Sequence, residues 1–152
     1  MFEDKLKELG IELPEAPKPL AVYIPVVKMD NIVFTAGQIP LKNGKLVLEG
    51  KVGKNLSLEE GQKAAEQCAI NCLSVIKSIC GSLDNIERIV KLTVFVNSAD
   101  DFALQHLVAN GASEFIGKIF GDAGRHARSA VGVNQLPMNA PVEVEMIVKL
   151  KD

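Results

Sequence analysis

One long amphipathic helix is the feature of this sequence that most constrains its fold. Ser57 and Glu60 have the spacing of a capping box, and Gly81 is typical of a helix C-terminus. Between them the apolar positions keep helical spacing, at residues 65, 68, 69, 72, 73, 76, 79 and 80. The pattern predicts a helix over 57–80 with one buried face, which a second layer of structure must cover.

The segment before this helix predicts three short strands. Residues 20–27 and 31–36 form two strands joined by a turn at Asp30-Asn31. Asn43-Gly44 is a strong hairpin sequence, and a short strand at 45–48 follows it.

A strand and a second helix follow the first helix. Residues 88–97 alternate, which places Val90, Leu92, Val94 and Val96 on one face and Lys91, Thr93 and Asn97 on the other. Ser98 is the expected cap of a helix at about 100–119, with a core stripe at residues 108, 112, 115, 116 and 119. Asn110-Gly111 is expected to bend this helix or divide it into two.

Two alternating strands, 127–133 and 142–148, end the chain around a loop at 134–140, giving the order β-β-β-α-β-α-β-β. We expect one domain over residues 1–152, in which residues 1–20 are an N-terminal extension with a short helix closed by Gly10. The fold class is α+β, with two helices on one side of a mixed sheet of about six strands. The other sheet face stays open unless subunits cover it, so we expect a homo-oligomer. The candidates for the buried face are Val26, Leu92, Val144 and Met146.

Composition narrows the possible partners and location. Of the 152 residues 47% are hydrophobic, the formal net charge is −2, and no run of lysine or arginine could follow a phosphate backbone, so nucleic acid is an unlikely partner. The longest apolar runs are too short to span a bilayer. The N-terminus is charged from Glu3 onward, unlike a secretory signal, and a cytoplasmic location is therefore expected.

Several kinds of site are missing from the sequence. There is no phosphate-binding glycine loop, dinucleotide fingerprint or nucleophile elbow, and His106 and His126 lack the spacing of a metal pair. Cys68, Cys72 and Cys80 share one face of the first helix with aliphatic residues, which favours buried reduced thiols over a metal or redox site. We expect no cofactor and no metal, and any catalysis must use ordinary side chains and water.

The polar residues of the two last strands are the best candidates for a site. Arg128 stands among small residues, where its guanidinium can fork the carboxylate of a small acid. Glu143 and Glu145 share a strand face and could handle a proton. A solvated arginine and a solvent-facing acidic edge are the alternatives, and the sequence does not fix whether Arg128 shares a face with the glutamates. Arg125, in a loop, is interpreted as a surface residue.

These residues resemble the RidA/YjgF family of reactive-intermediate deaminases, also known as endoribonuclease L-PSP. The resemblance runs from about Tyr23 to Leu150. The sequence resembles a divergent branch of that family at residues 1–20, 108–113 and 124–126. The matching stretches, in family order, are Asn31–Pro40, Val90–Val96 with Asp101-Phe102, Ala127–Ser129, Leu136-Pro137 and Val142–Glu145.

The resemblance implies a chorismate-mutase-like fold and a homotrimer with ligand sites in the clefts between subunits. It also implies hydrolysis of 2-imino or enamine acids to 2-keto acids and ammonia. Carried over by position, Arg128 forks the substrate carboxylate, Glu143 lies near the attacking water and Tyr23 lines the cleft. The family's cleft serine, helix asparagine and cysteine are replaced here by Ala36, His106 and Ala130, which changes the hydrogen bonding of the pocket.

Three functions are therefore considered, in this order. The first is a cofactor-independent deaminase of small imino or enamine acids, in which Arg128 binds the carboxylate and Glu143 positions and deprotonates a water. The second is a non-catalytic sensor that binds a small carboxylate in the same clefts. The third is an endoribonuclease, which would need clustered cations and an acid–base pair at a phosphate, and neither is visible in the sequence.

Overall fold

A computed structural model describes residues 1–18 and 22–152 of the chain. Its helices and strands, in chain order, are α1 (Phe2–Glu8), β1 (Val26–Met29), β2 (Ile32–Thr35), β3 (Leu41–Lys42), β4 (Lys45–Leu46), α2 (Leu58–Cys80), β5 (Ile86–Asn97), α3 (Gln105–Phe120), β6 (Ala127–Val133) and β7 (Val142–Leu150). Single 3₁₀ turns precede β5, follow α3 and precede β7.

The strands form the mixed sheet that the sequence predicts, with a different strand count. Five strands pair in the order β1-β2-β7-β5-β6, and β3 and β4 make a separate hairpin. The β5–β6 pair is parallel, and the other strand pairs of the described chain are antiparallel. The hairpin turns at Asn43 and Gly44, both with the positive φ that this type of turn requires.

Helix α2 begins and ends as predicted. Ser57 accepts a hydrogen bond from the Glu60 N–H, and the Glu60 carboxylate accepts one from the Ser57 N–H. Gly81 ends the helix with a φ of 78°. Helix α2 packs beside α3 on one face of the sheet, which confirms the two-layer arrangement.

Helix α3 differs from the prediction at both the start and the middle. It begins at Gln105 with Leu104 as its N-cap, so Ser98 does not cap it. Asn110-Gly111 neither bends nor divides it, and the helix runs unbroken to Phe120. Gly111 serves close packing instead, because a Cβ atom there would overlap the backbone of Gln62 on α2.

Two strand boundaries and one face assignment were also predicted wrongly. Strand β1 begins at Val26 rather than at residue 20, and residues 20 and 21 lie outside the described part of the chain. The strand after the hairpin is only Lys45–Leu46. In β5 the register shifts between Ile89 and Lys91, so Ile89 is buried and Val90 is exposed. The irregularity interrupts simple alternation, which is why Val90 was assigned to the wrong face.

The core lies between the sheet and the two long helices. Val26, Leu92, Val144 and Met146 are all buried there, as predicted. On the opposite sheet face Val27, Phe34 and Val131 remain 46%, 40% and 44% exposed. No element of the described chain covers this face, so one copy of the protein leaves an apolar surface open to solvent.

The cysteines belong to the core, as predicted. Cys68 and Cys72 are fully buried and Cys80 is half-buried, and all three are free. The Cys68 and Cys72 thiols donate to the carbonyls of Val142 and Val144. Burial raises the pKa of Cys72 to about 12, so this thiol stays protonated and inert at neutral pH.

Candidate functional site

Arg128 and Glu143 lie on opposite faces of the sheet. Arg128 on β6 pairs with Leu92 on β5, and Leu92 faces the helices. Glu143 on β7 pairs with Phe95, three residues further along β5 and therefore on the other face. The register that the sequence could not fix thus separates the two candidate residues within one chain.

The Arg128 guanidinium is held against one face of α3. Its Nη1 donates to Asn110 Oδ1 at 2.9 Å and to Ser113 Oγ at 3.1 Å, and its Nη2 donates to the His106 carbonyl at 3.0 Å. A guanidinium has five N–H donors, so these bonds leave two without a partner among the described residues, on Nε and Nη2. Two donors on one planar group are what a bidentate carboxylate requires.

Asn110 and Ser113 are functional candidates that the sequence analysis missed. Together with His106 they occupy positions i, i+4 and i+7 of α3, which lie on one stripe of a helix. That polar stripe is the pattern by which they could have been found. Without the β6 register, however, nothing in the sequence places Arg128 opposite the stripe.

A second series of hydrogen bonds, through His126, orients the Ser113 side chain. His126 Nδ1 lies 2.6 Å from the Gly124 carbonyl oxygen, and that oxygen can only accept, so Nδ1 carries the hydrogen. In the neutral ring Nε2 is then the acceptor, and it lies 2.9 Å from Ser113 Oγ. Ser113 therefore donates to His126 while it accepts from Arg128, which fixes the orientation of its hydroxyl.

A cavity of about 390 Å³ opens beside this cluster. Arg125, His126, Arg128 and Ser113 line it, together with the glycines 117, 121 and 124. The cavity is therefore cationic, and much of its wall is backbone. Because Arg128 lines this cavity, an anion bound there would lie beside its guanidinium.

Glu143 lines a different cavity of about 330 Å³ on the open face of the sheet. Tyr23, Gly37 and Met138 also line it, and Tyr23 is 56% exposed. The Glu143 carboxyl lies against the backbone of Gly37: a Cβ atom at position 37 would stand 2.7 Å from Glu143 Cδ. The lack of a side chain at position 37 thus leaves room for the Glu143 carboxyl, a role that is not apparent from the sequence.

The Glu143 carboxyl is half-buried, and its surroundings favour the protonated form. Burial raises the pKa of Glu143 above its ordinary value of 4.5, and the neighbouring Glu145 carboxylate raises it further. A carboxyl with a raised pKa is better suited to accept and return a proton near neutral pH than an ordinary surface glutamate.

The three replaced family positions belong to three different parts of the fold. Ala36 follows β2, and its N–H donates to the Pro25 carbonyl. Ala130 is half-buried on the same side of β6 as Arg128. The His106 side chain is exposed at the start of α3, and only its backbone carbonyl contacts Arg128.

The described residues offer neither a metal-binding cluster nor a membrane-spanning helix. Within residues 1–18 and 22–152, no three histidine, cysteine, aspartate or glutamate side chains come close enough together to hold a metal ion. None of the helices in these ranges combines the length and the apolar character that crossing a bilayer demands.

Known proteins match nearly the whole chain. Residues 3–150 match the family model described as "YjgF/chorismate mutase-like, putative endoribonuclease". Protein TCP17 of Trypanosoma cruzi is 44% identical over 148 residues, which are 97% of this chain and 92% of that protein. A 2-iminobutanoate/2-iminopropanoate deaminase of Dermatophagoides farinae is 30% identical over 141 residues, covering 93% of this chain and 95% of the relative.

A solved structure agrees with the fold. The crystal structure of Atu1372, a protein of unknown function from Agrobacterium tumefaciens, is 44% identical and superposes with a TM-score of 0.92, covering 99% of this chain and 92% of that one. The family match covers Arg128 and its hydrogen-bond partners on α3 as well as Glu143 on β7. The chain belongs to the YjgF/RidA family.

Proposed function

We propose that the protein hydrolyses small 2-imino or enamine acids to 2-keto acids and ammonia. The observation that carries this proposal is the state of Arg128: three of its donors fix the guanidinium on α3, and two are left for a carboxylate. A rigid planar fork binds a small acid with little loss of side-chain freedom. The similarity to a relative named as an imino acid deaminase supports the same chemistry.

Glu143 is the proposed proton carrier. A water held by its carboxyl attacks the carbon of the protonated imine, and the water proton passes to the carboxylate, which leaves a neutral carbinolamine. The carboxyl then returns this proton to the amine nitrogen. As the C–N bond breaks and ammonia leaves, the carbinolamine hydroxyl gives its own proton to the carboxylate and becomes the keto group. The raised pKa of Glu143 suits both directions of transfer. Imine hydrolysis is intrinsically fast, so orientation plus acid–base help on the order of 10²–10⁴-fold is sufficient without a cofactor.

The reaction needs both residues, and one chain holds them on opposite faces of its sheet. The complete site therefore includes Arg128 of one copy and Glu143 of another. The uncovered apolar face around Phe34 and Val131 is the surface through which copies would associate. We propose a homotrimer with three such sites, in keeping with the family resemblance.

A carboxylate-binding sensor is the second candidate, and Ala36 and Ala130 favour it. Neither alanine offers a polar side chain, so the site has fewer groups for catalysis than the family pattern implies. Arg128 would serve the sensor as it serves the enzyme. A substitution of Glu143 distinguishes the enzyme from the sensor, because only the enzyme needs proton transfer by this residue.

The test measures binding and turnover in the same variants. Imines are generated in situ from several amino acids, keto acid release is followed in a coupled assay, and keto acid binding is measured by calorimetry. Arg128→Lys keeps the charge but loses the fork, so both affinity and turnover should fall. Glu143→Gln should bind a keto acid nearly as well as the wild type while losing roughly 10²-fold or more in turnover.

Glu87→Gln is the matched control, because Glu87 is an exposed strand glutamate that pairs with Lys149 away from both cavities. It should leave binding and turnover unchanged. Wild-type turnover in Glu143→Gln would refute the proton-transfer role. Keto acid binding without any imine hydrolysis in the wild type would establish the sensor instead.

A further inference from the structure

We infer that the natural substrate carries a second carboxylate, bound by Arg125 in the cavity beside α3 and β6. The inference rests on the proposed function, since it takes Arg128 as the anchor of the first carboxylate. It concerns the other end of the substrate. The space, the charge and the fixed backbone of this cavity support it.

The cavity has room for more than a methyl or ethyl side chain. Its volume of about 390 Å³ lies in the range of small-molecule pockets, which begins at roughly 300 Å³. Gly117 and Gly121 keep it open: a Cβ atom at either position would have no heavy atom of the described chain within 4 Å. A substrate anchored at Arg128 can therefore extend along this wall.

The charge of the cavity favours an acidic end group. Arg125 and Arg128 both line it, and of the described residues that line it none is acidic. His126 adds no free donor, because both ring nitrogens are engaged with Gly124 and Ser113. Arg125 is thus the group available to the far end of a ligand.

The Arg125 side chain is available although it lies near Asp122. Its Nε is 3.6 Å from Asp122 Oδ1, and the two side chains are 85% and 98% exposed, so the pair is weak and easily exchanged for a ligand. The backbone beneath the side chain is fixed. The Arg125 N–H donates to the Asp122 carbonyl, and the Arg125 carbonyl accepts from Arg88 Nη2 at 3.0 Å.

The test uses two ligands that differ only in the second carboxylate. Calorimetry compares 2-oxoglutarate with 2-oxopentanoate, which have the same five-carbon chain, on the full-length protein. The wild type should bind 2-oxoglutarate at least about tenfold more tightly, as expected for an added charged contact. Arg125→Gln should reduce that ratio to near one and leave 2-oxopentanoate binding unchanged.

Two further variants complete the experiment. Gly117→Leu fills the cavity from its open wall and should weaken 2-oxoglutarate binding at least tenfold. Lys118→Gln removes a neighbouring exposed cation of α3 that lines a different groove, and it should change neither ligand's affinity. Circular dichroism checks that each variant is folded.

The outcomes separate this inference from the proposed function. One contrary result is equal binding of the two keto acids by the wild type, and another is a preference for 2-oxoglutarate that survives Arg125→Gln. If imine hydrolysis persists, either result would overturn only the inference that Arg125 binds a second carboxylate. Failure to bind either keto acid, together with no hydrolysis of any imine, would overturn the proposed function and the inference with it.

Discussion

The carboxyl group of Glu143 occupies the space that a side chain at position 37 would need. A Cβ atom on Gly37 would stand 3.0 Å from Glu143 Cγ and 2.7 Å from Cδ. The backbone of Gly37 does not have a positive φ, so its lack of a side chain serves this contact and not a turn. Gly37→Ala should therefore displace the Glu143 carboxyl.

The expected result of Gly37→Ala is a loss of turnover with little loss of stability. The overlapping atoms are the end of a flexible side chain, which can rotate away at a small cost. A displaced proton carrier should lower kcat by about tenfold or more, because catalytic groups tolerate little misplacement. Imine hydrolysis and thermal unfolding measure the two effects. Unchanged turnover with a well-folded protein would show that the position of this carboxyl does not matter.

Gly111→Ala, in contrast to Gly37→Ala, should lower the stability of the protein. A Cβ atom at position 111 would overlap the Gln62 backbone of α2, and a backbone cannot rotate aside. Overpacking of this kind costs about 1–3 kcal/mol. Gly117→Ala is the matched control on the same helix, where open space allows a gain of roughly 0.5–1 kcal/mol from helix propensity. Urea unfolding of both variants gives the comparison, and a Gly111→Ala protein as stable as the wild type would contradict the close packing.

Local sequence patterns predicted the parts of the fold that depend on local interactions. The capping box at Ser57 and Glu60 fixes where α2 begins, and the Asn43-Gly44 turn fixes the hairpin. Val90 was misplaced because the irregularity in β5 arises from pairing with β7, a strand far away in sequence. The start of α3 was misplaced because Ser98, although a favourable cap, continues the strand's contacts and donates to the Val96 carbonyl.

The candidate site was predictable in its residue types and not in its geometry. Small neighbours around Arg128 indicated an anion site, but the face on which it lies follows from pairing with Leu92. Its contacts with Asn110 and Ser113 then follow from how α3 packs on the sheet. Tertiary pairing of this kind leaves no mark in a single sequence.

The pH dependence of turnover should report the environment of Glu143. As a base it must be ionised, so kcat/KM should fall as pH drops through its pKa. That midpoint should lie above 4.5, because burial and then Glu145 raise the pKa. Glu145→Gln should move the midpoint downward but not back to the ordinary value, because burial is the larger cause. A pH–rate profile of both proteins tests this, and an acid limb that Glu145→Gln does not move would assign it to another group.

The stability of the protein should depend on the same group. With a raised pKa the folded state holds the Glu143 proton more tightly than the unfolded chain does. That contribution to stability is fully present below 4.5, the ordinary value, and is lost as pH rises through the folded-state pKa. Glu143→Gln cannot ionise, so its unfolding free energy relative to the wild type should increase between these pH values. Urea unfolding at several pH values measures it, and a constant difference would contradict the raised pKa.

Arg128 and Glu143 lie on opposite faces of the sheet. This placement predicts that two inactive variants recover activity when their subunits mix in one oligomer. Arg128→Ala and Glu143→Gln should each be nearly inactive alone. When the two chains are co-expressed, a trimer can contain an intact Arg128 beside an intact Glu143 of the next subunit. Random mixing in equal amounts gives about one quarter of the sites both residues, so about a quarter of the wild-type activity should return.

The controls for this experiment follow from the same geometry. Light scattering should give three times the chain mass, and native mass spectrometry should show mixed trimers in the co-expressed sample. The two variants purified separately and combined just before the assay should stay inactive until subunits exchange. If mixed trimers are present and activity remains absent, each site must lie within a single chain. Because one chain keeps Arg128 and Glu143 on opposite sheet faces, that result would remove one of them from the reaction.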